Sequence, residues 1–583
     1  MHTTIPGLFV GFVDRNPEAV AVRWHDGTTW QSMTRSESLT EVSRLTRTLH
    51  DELGVTTGTP IAILSDTRRE WAAIDMAAQC LRAIVVGIYP TLRPEQVEYQ
   101  LAHSEAKICV VENAAQAAKV LACRDRLPNL EHLISIDPTE GIPSIHDFGG
   151  VPDVPWLRER AAEAQPDDVA TYIYTSGTTG DPKGAVLTHH NFVATAHASK
   201  DIGGLEPGEH ALIFLPLAHS FQRFTSYRGF LEEGVGWYVP SINQLPWAIQ
   251  EARPHVLATV PRMLEKIKAK ADAAVHSRGG FPAKMYTWAF KVGRRRAELE
   301  VAGRPIPAML RLQDRIAERV FQRVRERLGG NLRLLVSGGA ALNPEVSWWF
   351  MAMRVTVLEG WGLTETSAPA TANAPGYIRV GTVGRAIDGI ELRLDDDGEV
   401  LVRGAGVFKG YYKDEAATAA TFDGDWFRTG DIGEIDAEGY LKIVDRKKEI
   451  LVTAGGKNIP PVNIENRIER SPYVEKAIAI GDGRPYIAAL LVPDTEALDS
   501  LAEKYGWPTE DLATRVDRPE VKELFDTAVK DANETLARYE QVKRFDVLPR
   551  EFTPESGELT ATMKLKRRVI RERYAPEIAS LYA

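Results

Sequence analysis

The apolar positions of the first 150 residues alternate between two spacings. Short unbroken runs, Ile61-Ala62-Ile63-Leu64 and Ile108-Cys109-Val110-Val111, read as strands buried on both faces. Between them, residues 71–81 repeat their apolar side chains at helical spacing. Strand and helix in alternation predict parallel βαβ units. The pattern returns at 211–215, 256–260 and 332–336, with a long helical, basic stretch over 262–328. From about Gly389 the period changes to two. Ile390-Glu391-Leu392-Arg393-Leu394 and Glu399-Val400-Leu401-Val402-Arg403 flank Asp395-Asp396-Asp397-Gly398, whose Asp-Gly step marks a hairpin. A second hairpin turns at Asp436-Ala437-Glu438-Gly439. Directly after it, Asp445-Arg446-Lys447-Lys448-Glu449 reads as a charged, exposed connector, and mixed strand and helix follow. The expected fold is α/β: a large N-terminal domain, 1–444, of βαβ layers with a β-rich subdomain, and a small α+β C-terminal domain, 445–583.

Composition narrows the function classes. A chain of 583 residues is too long for one core. Its net charge of −10 argues against nucleic-acid binding, which leaves a basic excess. Cys80, Cys109 and Cys123 have no metal-ligand spacing and sit in apolar runs, as buried thiols do. The first residues carry no basic, apolar leader, and the early apolar stretch 83–89 is far short of the roughly 20 residues of a spanning helix. A cytoplasmic protein is expected. Within the helical stretch, Trp288-Ala289-Phe290-Lys291-Val292 precedes Arg294-Arg295-Arg296. That is an amphipathic helix with a solvated basic face, or a contact with anionic lipid or with cofactor phosphates.

The densest chemical signal is Tyr172-Ile173-Tyr174-Thr175-Ser176-Gly177-Thr178-Thr179-Gly180-Asp181-Pro182-Lys183-Gly184. A strand end runs into hydroxyls and unobstructed backbone N–H groups, with Lys183 as a mobile positive charge, which suits polyphosphate oxygens. Pro182 before the lysine excludes a Walker A loop. The whole string resembles the nucleotide loop of the adenylate-forming superfamily of acyl-CoA synthetases, peptide-synthetase adenylation domains and luciferases. Further strings resemble that family in order: Leu215-Pro216-Leu217-Ala218-His219-Ser220-Phe221, Ser337-Gly338-Gly339-Ala340, Gly360-Trp361-Gly362-Leu363-Thr364-Glu365-Thr366, Trp426-Phe427-Arg428-Thr429-Gly430-Asp431, 440–448, Gly455-Gly456-Lys457-Asn458 and Leu559-Thr560-Ala561-Thr562-Met563-Lys564.

The resemblance implies ATP, Mg²⁺ and CoA as partners and a distribution of roles. Thr175, Ser176, Gly177, Thr178, Thr179, Gly180 and Lys183 would hold phosphates. Gly338, Gly339, Ala340, Glu359, Gly360, Trp361, Gly362 and Thr364 would wall the adenine side. Asp431 would hold the ribose hydroxyls, with Ile443 and Arg446 beside it. Glu365, with Thr175, would carry the metal, a hard cation suited to oxygen ligands. His219 would stand beside the substrate carboxylate. Lys564 would reach the reacting carboxylate; Ala561, where many relatives have proline, leaves its register against Lys566 open. Lys448 is the implied hinge of a mobile C-terminal domain, near Asp445–Lys448, and Gly455, Gly456 and Lys457 would line the thiol channel.

Ile88-Tyr89-Pro90-Thr91, Leu217-Ala218-His219, the 262–328 stretch and Ile443-Val444-Asp445-Arg446-Lys447-Lys448 are similar to bacterial AMP-forming long-chain fatty acid:CoA ligases. That implies activation of a long-chain fatty acid and transfer to CoA. The alternative is transfer to a carrier protein, against which no carrier-like segment follows residue 570. A lipid substrate has to be collected somewhere, so peripheral contact with the inner face of a membrane stays open, as does homodimerisation.

Overall fold

The computed structural model describes residues 2–175, 181–277, 279–454, 457–508, 511–560 and 563–583. The chain opens with β1 (Val20–His25) and β2 (Trp30–Thr34), then forms β3 (Pro60–Leu64), β4 (Ile84–Ile88), β5 (Ile108–Val111), β6 (His132–Ser135), β7 (Val169–Thr175) and β8 (Lys183–Thr188). The last six make one sheet, ordered β6-β5-β3-β4-β7-β8, parallel except for β8 against β7. Strands β4 and β5 are buried along their whole length, which is why they read as unbroken apolar runs rather than alternating ones.

A second, nine-stranded sheet collects β9 (His210–Ile213), β10 (Val235–Tyr238), β11 (Val256–Thr259), β12 (Leu334–Ser337), β13 (Thr356–Trp361), β14 (Thr371–Ala372) and β15 (Arg385–Ala386), with β1 and β2 at its far edge. The stretch between β11 and β12 folds as three helices, Pro261–His276, Gly280–Val301 and Ala308–Glu326. Their inner faces join Leu257, Leu335 and Val357 in a large apolar core. The helix Arg69–Cys80 is tied to the helix Ser220–Gly229 by a fully buried ion pair, Arg223 with Asp75, whose carboxylate also accepts the Tyr227 hydroxyl at 2.6 Å.

Strands β16 (Ile390–Leu394), β17 (Glu399–Gly404), β18 (Phe422–Asp423), β19 (Trp426–Ile435) and β20 (Leu441–Arg446) form a five-stranded sheet containing both expected hairpins. Then come the short pair β21 (Leu451–Val452) and β22 (Asn458–Ile459), and a three-stranded sheet of β23 (Val474–Ile480), β24 (Ile487–Pro493) and β25 (Val542–Val547). The chain divides into two compact units. One comprises Met1–Arg393, Leu401–Thr429 and Ile435–Lys442; the other comprises Leu394–Val400, Gly430–Glu434 and Ile443–Ala583.

Two expectations are corrected. Asp445 does not begin an exposed connector: it is a buried residue of β20, accepting the N–H groups of Arg446 at 2.7 Å and Val462 at 3.3 Å. Burial lifts its carboxyl to about 6. The exposed charges begin at Arg446. Arg294-Arg295-Arg296 is not one solvated face either. Arg296 is buried, bonded to Asp314 and to the carbonyls of Met351 and Ala352, while Arg294 pairs with Glu298 and Glu345. A 100° step per residue sends three successive arginines to three different sides. All three cysteines are buried and free, and among the described residues no helix is long and apolar enough to cross a membrane.

Candidate active site

In the first unit, β7 delivers Thr175 and β8 begins at Lys183, paired in register. Ser176, Gly177, Thr178, Thr179 and Gly180, the body of the expected phosphate loop, lie outside the described residues. Thr188 and Asn191 form a capping box at the helix His189–Ala198, and the Asn191 amide also donates to the carbonyls of Ala405 and Val407 at 2.8 and 2.9 Å. That clamps a strap, residues 404–412, which runs beside β8: Lys409 N–H reaches the Val186 carbonyl at 3.1 Å and Tyr412 N–H the Gly184 carbonyl at 2.8 Å.

The strap aims Tyr411 at two charges. Its ring lies under the Lys183 ammonium, 5.1 Å from Nζ, and its hydroxyl donates to Glu365 Oε1 at 2.9 Å. Lys183 Nζ also stands 3.6 Å from Asp414 Oδ2. Glu365 is buried in the one-turn helix Thr364–Thr366, whose Glu365 carbonyl accepts Phe408 N–H from the strap at 2.8 Å. Two left-handed residues, Ser367 and Ala368, follow it (φ 57° and 80°). Such backbone costs a non-glycine residue about 1 kcal/mol or more. Only glycine fits at 362, where a Cβ would stand 1.7 Å from the Ala368 carbonyl oxygen.

The expected substrate-side residues converge here as well. The segment before the helix Ser220–Gly229 packs onto β4, where Gly87 leaves room for Ala218. His219 is half-buried and caps this helix, its Nδ1 accepting Phe221 N–H at 3.1 Å. Ser220 Oγ lies 3.4 Å from Thr364 Oγ1, and the Phe221 ring lies against Gly338. Gly338, Gly339 and Ala340 form the turn after β12, and Glu359, Gly360 and Trp361 end β13 beside it. Glu359 is buried, its carboxyl accepting the Ser347 hydroxyl at 3.3 Å, and burial pushes it up to about 7. In register with it, the hydroxyls of Ser337 and Thr259 are buried without a hydrogen-bond partner among the described residues. Sequence reasoning missed Tyr411 and this polar row; the Gly410-Tyr411-Tyr412 string and the hydroxyl ending each apolar run were the signals available.

In the second unit, Asp431 is buried and paired with Arg446, Nε to Oδ1 at 2.6 Å. Lys447 beside it binds Glu399 at 2.9 Å and Asp397. Ile443 is half-buried in β20 and Lys448 exposed just after it. Lys457 closes a turn with Thr453, the N–H of each reaching the other residue, while Gly455 and Gly456 lie outside the described residues. Lys564 is exposed at the end of a tight turn: Thr560 N–H donates to its carbonyl at 2.8 Å, and Leu559 bridges Leu565. Lys566 is half-buried and caps the helix Arg567–Arg573.

The AMP-binding enzyme family matches residues 9–412, and the AMP-binding enzyme C-terminal domain matches residues 448–583; the chain belongs to this family. Long-chain-fatty-acid–CoA ligase FadD15 of Mycobacterium bovis is 36% identical over 95% of this chain and 92% of its own. Its Mycobacterium tuberculosis counterpart is 35% identical over the same shares. The same fold is seen in the anthranilate CoA ligase AuaEII in complex with anthranoyl-AMP, with TM-score 0.73 and 21% identity, covering 98% of this chain and 97% of that one.

Proposed function

We propose that the protein is an AMP-forming long-chain fatty acid:CoA ligase. A fatty carboxylate oxygen bonds to the α-phosphorus of ATP as pyrophosphate leaves; the CoA thiolate then attacks the acyl carbonyl carbon and AMP leaves. The observation that carries the reading is the meeting of Lys183 and Glu365 on Tyr411, in a chain similar to FadD15 over nearly its whole length.

Attack of one anion on another needs neutralisation and positioning more than acid–base work. Lys183 neutralises phosphate charge together with the N–H and hydroxyl groups of 175–180. The buried, hydroxyl-bonded carboxylate of Glu365 is a fitting hard-oxygen ligand for Mg²⁺, with Thr175 as the second candidate. Bound there, the ion would spread the charge of the phosphate oxygens. Gly338, Gly339, Ala340 and Glu359, Gly360, Trp361, Gly362 wall the adenine, with Thr364 next to them. Asp431 accepts from the ribose hydroxyls, steadied by Arg446 and by packing on Ile443. His219 closes on the substrate carboxylate, and Lys564 neutralises it as it reacts. Lys448 serves as the hinge, near Asp445–Lys448, of a mobile domain, 445–583; Gly455, Gly456 and Lys457 line the path of the thiol. A poorly soluble acid brings the cytoplasmic enzyme into peripheral contact with the inner face of a membrane.

Pyrophosphate release over acids from acetate to oleate, with and without CoA, tests this. Continuous turnover of long acids with CoA alone is expected. A single burst that CoA does not extend would point to another acceptor.

A further inference from the structure

We propose that the outer face of the helix Ala308–Glu326 is a docking surface for an anionic lipid bilayer; this rests on the long-chain reading above. The helix is pinned from inside. Leu310, Ala317 and Phe321 enter the large core, and Asp314 bonds Arg296 and Arg354. Its orientation, and hence what it shows to solvent, is fixed. Outside, Met309, Leu312 and Ile316 are 67%, 55% and 48% exposed. At 100° per residue they fall within an arc of about 60°. Arg311, Arg315 and Arg319 run along one flank of that stripe, all exposed, and among the described residues none of them makes an ion pair.

Three apolar side chains in line with unpaired arginines in a protein of net charge −10 are a local departure from the whole. The stripe is too narrow for a stable protein interface, which needs roughly 1,000 Å² or more. It suits shallow insertion at a headgroup boundary, where long arginine stems lie on the acyl region and guanidinium groups meet lipid phosphates. From Arg311 to Arg319 the axis advances about 12 Å at roughly 1.5 Å per residue, enough for the arginines to meet more than one headgroup.

The test uses the full-length protein and two variants. One carries Arg311→Gln, Arg315→Gln and Arg319→Gln; the other carries Leu312→Ser and Ile316→Ser. Each is sedimented with phosphatidylcholine vesicles, with and without phosphatidylglycerol, and each is assayed for pyrophosphate release with octanoate free in solution. The wild type is expected to bind the anionic vesicles and to be released by salt. The triple variant is expected to bind about a hundredfold more weakly, at roughly fivefold per arginine. The double variant should lose about tenfold. Octanoate turnover should stay unchanged in both, which also shows that they fold. Equal binding to neutral vesicles, or retention by either variant, would overturn the proposal. So would a change in oligomeric state in the double variant, which would make the face an interface between copies. Turnover of octanoate without any vesicle binding would overturn the docking face and leave the ligase reading intact; absence of turnover with every acid from acetate to oleate would sink the ligase reading alone.

Discussion

At the scale of single residues, Tyr411 links Lys183 and Glu365, the two charges proposed to meet phosphate and metal. Its ring supports Lys183 and its hydroxyl orders Glu365. Tyr411→Phe keeps the ring and removes a hydrogen bond to a carboxylate, an interaction of about 1.5–3 kcal/mol. Turnover should therefore fall about tenfold or more, with a raised Mg²⁺ requirement and a loss of stability of about 1.5–3 kcal/mol that added Mg²⁺ offsets. A magnesium titration of the variant checks it, and an unchanged curve would reduce Tyr411 to packing. Glu359 offers a second test. Burial raises its carboxyl from the ordinary 4.5 to about 7. The fold thus prefers the protonated form, so this group's contribution is complete below about pH 4.5 and is lost as the pH rises through about 7. Glu359→Gln should melt as the wild type does at pH 4.5 and be more stable at pH 8, by up to about 3 kcal/mol. Melting curves at both pH values decide it; a uniform destabilisation would show that the carboxylate itself is needed.

Among elements, the C-terminal turn depends on Arg567. Its guanidinium grips both oxygens of the buried Glu465 at 2.6 and 2.7 Å and reaches Glu449 at 3.0 Å. This joins the helix that follows Lys564 to the helix Pro461–Ile468 and to the segment after β20. Arg567→Ala strands a buried carboxylate and should destabilise the second unit by about 3 kcal/mol. Lysine cannot make the bidentate contact, so Arg567→Lys should recover only a minor part, measured by thermal unfolding. Full recovery by lysine would leave charge alone as the requirement. This clasp was not legible in the chain because Glu449, Glu465 and Arg567 are far apart in sequence and each looks like a surface charge. The sheet strands were legible, since unbroken runs such as Ile108–Val111 have few other uses and their partners share the pattern. Where charge density was taken for exposure, at Asp445 and at Arg294-Arg295-Arg296, local backbone donors and helical phase overrode it. Of the candidate site, glycines and ordered motifs marked the backbone, but the strap that brings Tyr411 to Glu365 is a long-range pairing invisible to spacing.

For the molecule as a whole, the issue is whether one lysine serves both half-reactions. Neutralising charge is urgent only while carboxylate and phosphate oxygens approach; in the thioester step the acyl carbon is already activated and AMP is a good leaving group. Lys564, exposed at its turn, is the residue proposed for the first step, while Lys566 sits at a helix start and is half-buried. Lys564→Ala should therefore lower pyrophosphate release about a thousandfold, the loss seen when one transition-state donor is removed. It should leave CoA-dependent consumption of supplied acyl-adenylate within about threefold of wild type, since no group acting there has changed. Lys566→Ala should alter neither rate by more than about threefold, because the bond that Lys566 makes to the Glu558 carbonyl at 2.8 Å is through its backbone N–H and survives the substitution. Separate assays of the two half-reactions on both variants settle the assignment. Equal loss of both rates in Lys564→Ala would mean that the residue holds the adenylate throughout, and a large effect confined to Lys566→Ala would move the cation two positions along the chain.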